Sequence, residues 1–175
     1  MSASSPASRI QANLQELFQG NSASGSPYIK FQLTSEITAL LSMEQVQETS
    51  IVDAALITPL PSMPPSVIGI MNSRDRVFCV FDLARLLTLP NRLVAPRRYQ
   101  IIVLQTTDPT PIQLALAVNS VQGIMRLAAE QIQSPMDKDK VPANIAPYVT
   151  GVVTAENIAT PVLEFDRILE TIKPA

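Results

Sequence analysis

The sequence predicts an all-β protein with a few short helices, arranged as barrels or a sandwich. Three observations point there. Short apolar runs recur along the chain at near-regular spacing, prolines and polar turns separate them, and one strand–helix pattern occurs twice. The clearest strand comes first: Ile29, Phe31 and Leu33 alternate with Lys30 and Gln32, a period of two with one face buried. Further strands are expected at Ala39–Val46, Ile51–Ile57, Val67–Met71, Val77–Phe81, Tyr99–Gln105, Gln113–Val118, Gly123–Leu127, Val149–Thr154 and Thr160–Phe165. Pro59, Pro61, Pro64 and Pro65 crowd one connection, which forbids a helix there.

The repeat runs from a glycine through a strand to an aspartate and a short helix. Gly69, in Val67-Ile68-Gly69-Ile70, precedes Asp82 by 13 residues, and Gly151, in Val149-Thr150-Gly151-Val152, precedes Asp166 by 15. Asp82 is followed by Leu83, Leu86 and Leu87, and Asp166 by Ile168, Leu169 and Ile172. Each aspartate is placed to accept from the unpaired amides that open a helix. Two such units imply two similar barrels, each closed by a helix. Residues 1–27 read as a tail rich in Ser, Ala, Gly and Pro, and 28–172 as a single domain with lobes 28–95 and 96–172. Within the tail, Ser8 and Gln11 form a capping box, Ile10, Leu14, Leu17 and Phe18 share one helical face, and Gly20 is a stop. A helix this short needs a surface to dock on, either its own barrel or a partner.

Composition removes most chemistry. At 175 residues and 46% hydrophobic, the chain buries a core without disulfides or metals. A net charge of −2 and scattered basic residues argue against nucleic acid. There is no histidine, hence no imidazole base or ligand, and the lone Cys79 lies in an apolar run as a small core hydrophobe. The four lysines and the dispersed carboxylates form no nucleophile–base pair, calcium loop or facial triad, so neither an enzyme nor a cofactor or metal site is expected. No apolar run reaches membrane-spanning length and no signal-peptide pattern opens the chain, so a cytoplasmic protein without membrane insertion is expected.

One stretch carries more. Val67-Ile68-Gly69-Ile70-Met71-Asn72-Ser73-Arg74-Asp75-Arg76-Val77-Phe78-Cys79-Val80-Phe81-Asp82-Leu83 resembles the pattern of CheW-like domains: an apolar V-x-G, then N-L-R-G, then V-x-P-V-x-D-L. Leu60-Pro61 and Pro64 are similar to the family's L-P-x-x-P, Val46-Gln47-Glu48 to its V-x-E, and Val118-Asn119-Ser120-Val121 to its V-D-x-V strand. The resemblance spans about Tyr28 to Ile172. Asp75, Ser73, Cys79 and Asn119 depart from the family's Gly, Leu, Pro and Asp, which marks a divergent member, as in a specialised motility or phototaxis array.

The resemblance implies two five-stranded SH3-like barrels and a non-enzymatic coupling protein. Its implied partners are the regulatory domain of a CheA-type histidine kinase and the signalling tip of a methyl-accepting chemoreceptor. The partner-binding candidates are Arg74, Glu48, Val46, Asn72 and Val121, with Arg74 foremost because a guanidinium on a turn is a rigid fork. Val46 and Val121 fit a core as well as an interface, and Gly69 and Gly151 are expected to serve the backbone. The competing readings are a detached kinase regulatory domain, a small-molecule-binding β-barrel and an unspecified hydrolase.

Overall fold

A computed structural model describes residues 25–89, 96–107, 109–134 and 141–172. The expected tail helix lies outside the described residues. The described residues form ten strands and two short α-helices, besides single 3-10 turns: β1 (Ser26–Gln32), β2 (Thr38–Ser42), β3 (Val46–Asp53), β4 (Val67–Ser73), β5 (Arg76–Asp82), α1 (Leu83–Leu86), β6 (Arg98–Gln105), β7 (Gln113–Val118), β8 (Ser120–Leu127), β9 (Val149–Ala155), β10 (Ile158–Leu163) and α2 (Phe165–Ile172). They form two five-stranded sheets, β8-β1-β2-β10-β9 and β3-β6-β7-β5-β4.

The two sheets are built alike. In each, a hairpin (β4–β5 or β9–β10) is followed by a helix, and its second strand pairs in parallel with a strand of another hairpin, β5 with β7 and β10 with β2. Each sheet is drawn toward closure by one isolated bridge. Thr58 exchanges both backbone hydrogen bonds with Ile70, at 2.8 and 2.9 Å, and Gln133 does so with Val152, at 2.8 and 3.1 Å. The bridging segments cross directly over Gly69 and Gly151. A Cβ on Gly69 would overlap the Thr58 carbonyl, and one on Gly151 would overlap the Ile132 side chain. The glycines recur because two backbones must approach closely at that point.

The division of the chain differs from the expected lobes 28–95 and 96–172. β1 and β2 join β8, β9 and β10, whereas β6 and β7 join β3, β4 and β5. Each half therefore lends its first hairpin to the other half's sheet. Burial accounts for the exchange. Of the lent strands, β6 and β7 are apolar on both faces: Ile101, Val103, Ala115 and Ala117 fill the second sheet's own core, and Ile102, Leu104, Leu114 and Leu116 point the other way. There they meet Ile29, Phe31, Leu33 and Leu41 of the first sheet, together with Phe165, Ile168 and Leu169 of α2. A smaller cluster of Leu40, Leu127, Val153 and Val162 fills the first sheet's own core. The largest core thus lies between the barrels, and strands covered on both sides read as unbroken apolar runs.

The helix caps differ between the halves. Asp82 Oδ1 accepts from the Arg85 amide at 3.3 Å and caps α1, as the sequence suggests. Asp166 does not cap α2. That helix opens at Phe165, Asp166 sits inside its first turn, and its Oδ1 accepts from Gln45 Nε2 at 3.0 Å. The spacing that carries Gly69 onto Gly151 carries Asp82 onto Glu164, whose carbonyl accepts from the Ile168 amide at 3.3 Å.

Burial raises the Asp82 carboxyl above its ordinary value of 3.8, against the pull of the Arg85 amide and guanidinium. A carboxyl raised on folding is best tolerated protonated, so its contribution to stability falls as pH rises from the unfolded value through the folded one. Asp82→Asn, which keeps an acceptor, should flatten that part of the stability–pH curve in urea unfolding. Asp82→Ala should cost about 1 kcal/mol. Gly69→Ala should cost about 1–3 kcal/mol through overpacking against Thr58, read as a lower urea midpoint.

Candidate functional site

Ser73 and Arg76 pair at the end of the β4–β5 hairpin, leaving Arg74 and Asp75 as a two-residue loop. Both have positive φ, 50° and 64°, as the tight loops that match strand twist require. Asp75, standing where CheW-like domains have Gly, thus adopts the left-handed conformation a glycine would, which Asp tolerates among L residues. The equivalent loop of the other sheet is Glu156-Asn157, with φ 50° and 64°. The two barrels present the same turn with opposite chemistry at the first position, a cation on one and a carboxylate on the other.

The turn holds Arg74 out from the barrel, its side chain 86% exposed. Nη1 lies 3.6 Å from Glu48 Oε2 on β3, whose side chain is 31% exposed. With Gln47, Ser73, Phe78 and Gln113, the pair rims a 310 Å³ hollow over the second sheet's core. At this exposure the ion pair orients the guanidinium more than it stabilises the fold. Asn72, exposed on β4, stands two residues before Arg74 on the same hairpin. The structure therefore brings Arg74 and Glu48 together at one hollow, and leaves Asn72 exposed on the adjoining strand, outside that hollow's lining.

The two valines behave differently. Val46 begins β3, opposite Leu104, and is half-buried against the inter-barrel core. Val121 lies in β8 of the other sheet, opposite Phe31, and also packs on that core. Its amide donates to Gln100 Oε1 at 2.8 Å, tying β8 to β6. The spacing that relates Thr58 to Gln133 also relates Val46 to Val121, so the two occupy matching positions at the barrel junction.

Sequence reasoning did not reach a second feature. Two adjoining hollows, of 960 and 380 Å³, share Cys79, Phe81 and Ile172 and make an apolar groove between β5, α1 and the end of α2. Met63 and Pro64 of the proline-rich connection wall it on one side. Cys79 is half-buried there instead of enclosed. The available clue was Cys79 itself, a small residue replacing a family proline in a strand otherwise lined by bulky side chains. Among the described residues, no three His, Cys, Asp or Glu side chains gather as metal ligands, and no helix is long and apolar enough to cross a membrane.

Paired barrels that share a core, each presenting a tight turn with a charged first residue, beside an open apolar groove define a double-barrel module. The sequence profile of the CheW-like domain matches residues 27–173, and the chain belongs to that family. The chemotaxis protein CheW of Thermotoga maritima is 26% identical over 122 residues, covering 70% of this chain and 75% of that protein. The crystal structure of the scaffolding protein TtCheW from Thermoanaerobacter tengcongensis superposes with a TM-score of 0.64 at 19% identity, over 79% of this chain and 88% of that one.

The exposed geometry predicts weak coupling within the ion pair. A double-mutant cycle of Arg74→Ala and Glu48→Gln in urea unfolding should give an interaction of about 1 kcal/mol or less.

Proposed function

We propose that this chain is a non-enzymatic coupling scaffold for chemotaxis-type signalling, joining a methyl-accepting chemoreceptor to a CheA-type histidine kinase. Membership of the CheW-like family over nearly all the described residues supports the class of function. The observation that carries the reading of the site is Arg74: exposed, held by a two-residue turn and oriented by Glu48. A guanidinium oriented this way has less freedom left to lose on binding, and it suits a carboxylate or carbonyl on a helical receptor tip. Asn72, exposed on the same hairpin, is a further candidate contact. Val46 and Val121 act from below, setting the angle between the barrels through the shared core. The regulatory domain of the kinase would take a second surface, which leaves the Arg74 face free for the receptor.

Such a protein works by geometry alone. Its two partners respond to one another only if the surfaces that hold them stay in fixed relation, and the inter-barrel core supplies that rigidity. The reading as a small-molecule-binding barrel has less support, because each barrel's own core is filled by side chains, Val80, Ile101 and Ala115 in one and Leu40, Val153 and Val162 in the other.

The test uses a soluble receptor-tip helical bundle and calorimetry. Arg74→Ala should weaken binding by about 2 kcal/mol, some 30-fold, while leaving the unfolding midpoint nearly unchanged. Unaltered affinity would remove Arg74 from the site. Failure of both the bundle and a CheA-type regulatory domain to bind the wild-type chain would overturn the scaffold reading.

A further inference from the structure

We propose that the hollow behind the Arg74 turn is a socket for one glutamate side chain of the receptor tip, and that Arg76 and Ser73 help to hold its carboxylate. The inference rests on the receptor-coupling reading and adds to it a residue and a ligand which that reading leaves open. The family pattern does not reach Arg76. It falls between Asn72-Ser73-Arg74-Asp75, matched to N-L-R-G, and Val77-Phe78-Cys79-Val80-Phe81-Asp82-Leu83, matched to V-x-P-V-x-D-L. Ser73 stands where the family has Leu. Both residues line the hollow, so this chain brings two donors of its own to it.

Charge decides what enters. Arg74 faces Glu48 at 3.6 Å, whereas Arg76, exposed at the start of β5, makes no ion pair or side-chain hydrogen bond among the described residues. Glu48, Arg74 and Arg76 are the charged groups among the described residues of the lining, and two guanidiniums against one carboxylate leave a positive excess. A guanidinium with no internal partner is free to pair with an anion brought from outside, and its forked donors favour a carboxylate.

Size and floor narrow that anion to one side chain. The hollow's 310 Å³ holds about ten waters, at roughly 30 Å³ each, too little for a helix and enough for a single long side chain. Its floor is apolar: Phe78 and Val103 line it and are buried in the second sheet's own core. Glutamate satisfies both demands, its methylenes against Phe78 and Val103 and its carboxylate at the rim with Arg74, Arg76 and the Ser73 hydroxyl. Gln113 steadies the lining, its Nε2 donating to Gln105 Oε1 at 3.0 Å.

Calorimetry with the soluble receptor-tip bundle tests the socket. Arg76→Gln should weaken binding about tenfold at low salt and much less at about 0.5 M salt, with the urea unfolding midpoint unchanged. Ser73→Leu should weaken it about threefold. When each glutamate of the tip is changed in turn to glutamine, one position should cost about tenfold against the wild-type chain and almost nothing more against Arg76→Gln. Equal affinity of wild type and Arg76→Gln would overturn the socket and leave the receptor reading standing. A loss on Arg76→Gln that no glutamate of the tip shares would equally defeat it. A bundle that binds neither chain would end both the socket and the receptor reading.

Discussion

The structure depends on an apolar layer shared by two barrels. Phe31, Leu41, Ile102, Leu116 and Ile168 are all fully or almost fully buried in one cluster drawn from both sheets and from α2. Neither sheet could expose that face to water: fully burying each such side chain is worth roughly 1.5–3 kcal/mol. Two of the strands that form the layer, β6 and β7, are covered on both faces, so their sequence has little freedom to carry function. Function is left to the edges: the tight turns, the strand ends and the ground between the helices.

Duplication makes those edges comparable, and the comparison shows where they have diverged. Both barrels use a positive-φ pair at the hairpin, a glycine under a crossing backbone and a helix after the second strand. Only one turn bears an arginine, facing a glutamate on the neighbouring strand. The matching position to Glu48 in the other barrel is Gly123, which has no side chain to pair with anything. The barrels are alike in what folds them and unlike in what they show at the surface.

Much of this was legible in the residues. Alternation exposed β1, and apolar runs exposed β6 and β7. The glycine-to-helix pattern exposed the duplication. β3 was harder to place, because Gln47, Glu48, Thr49 and Ser50 give an edge strand a polar sequence; the expected strands fell on either side of its centre. The cap of α2 was misplaced by two residues because aspartate was matched with aspartate, although the unequal spacings of 13 and 15 already disagreed; equal spacing leads to Glu164. The exchange of hairpins left no trace in the sequence, since a strand buried on both faces reads the same whichever sheet it joins. Arg74 and Glu48 emerged from motif resemblance, and their contact needed the coordinates. The groove was invisible because it is made by elements far apart in the chain.

The exchange of hairpins also bears on how the protein is made. β1 pairs with β8, and β2 with β10, so strands completed early in synthesis wait for partners encoded near the other end. Until the ribosome has delivered those partners, the first hairpin holds bare apolar edges that its own half cannot satisfy. Long-range pairing of this kind slows folding and exposes nascent chains to sticking. Chaperones that hold the early hairpin until β8 and β10 emerge should therefore raise the yield of folded protein.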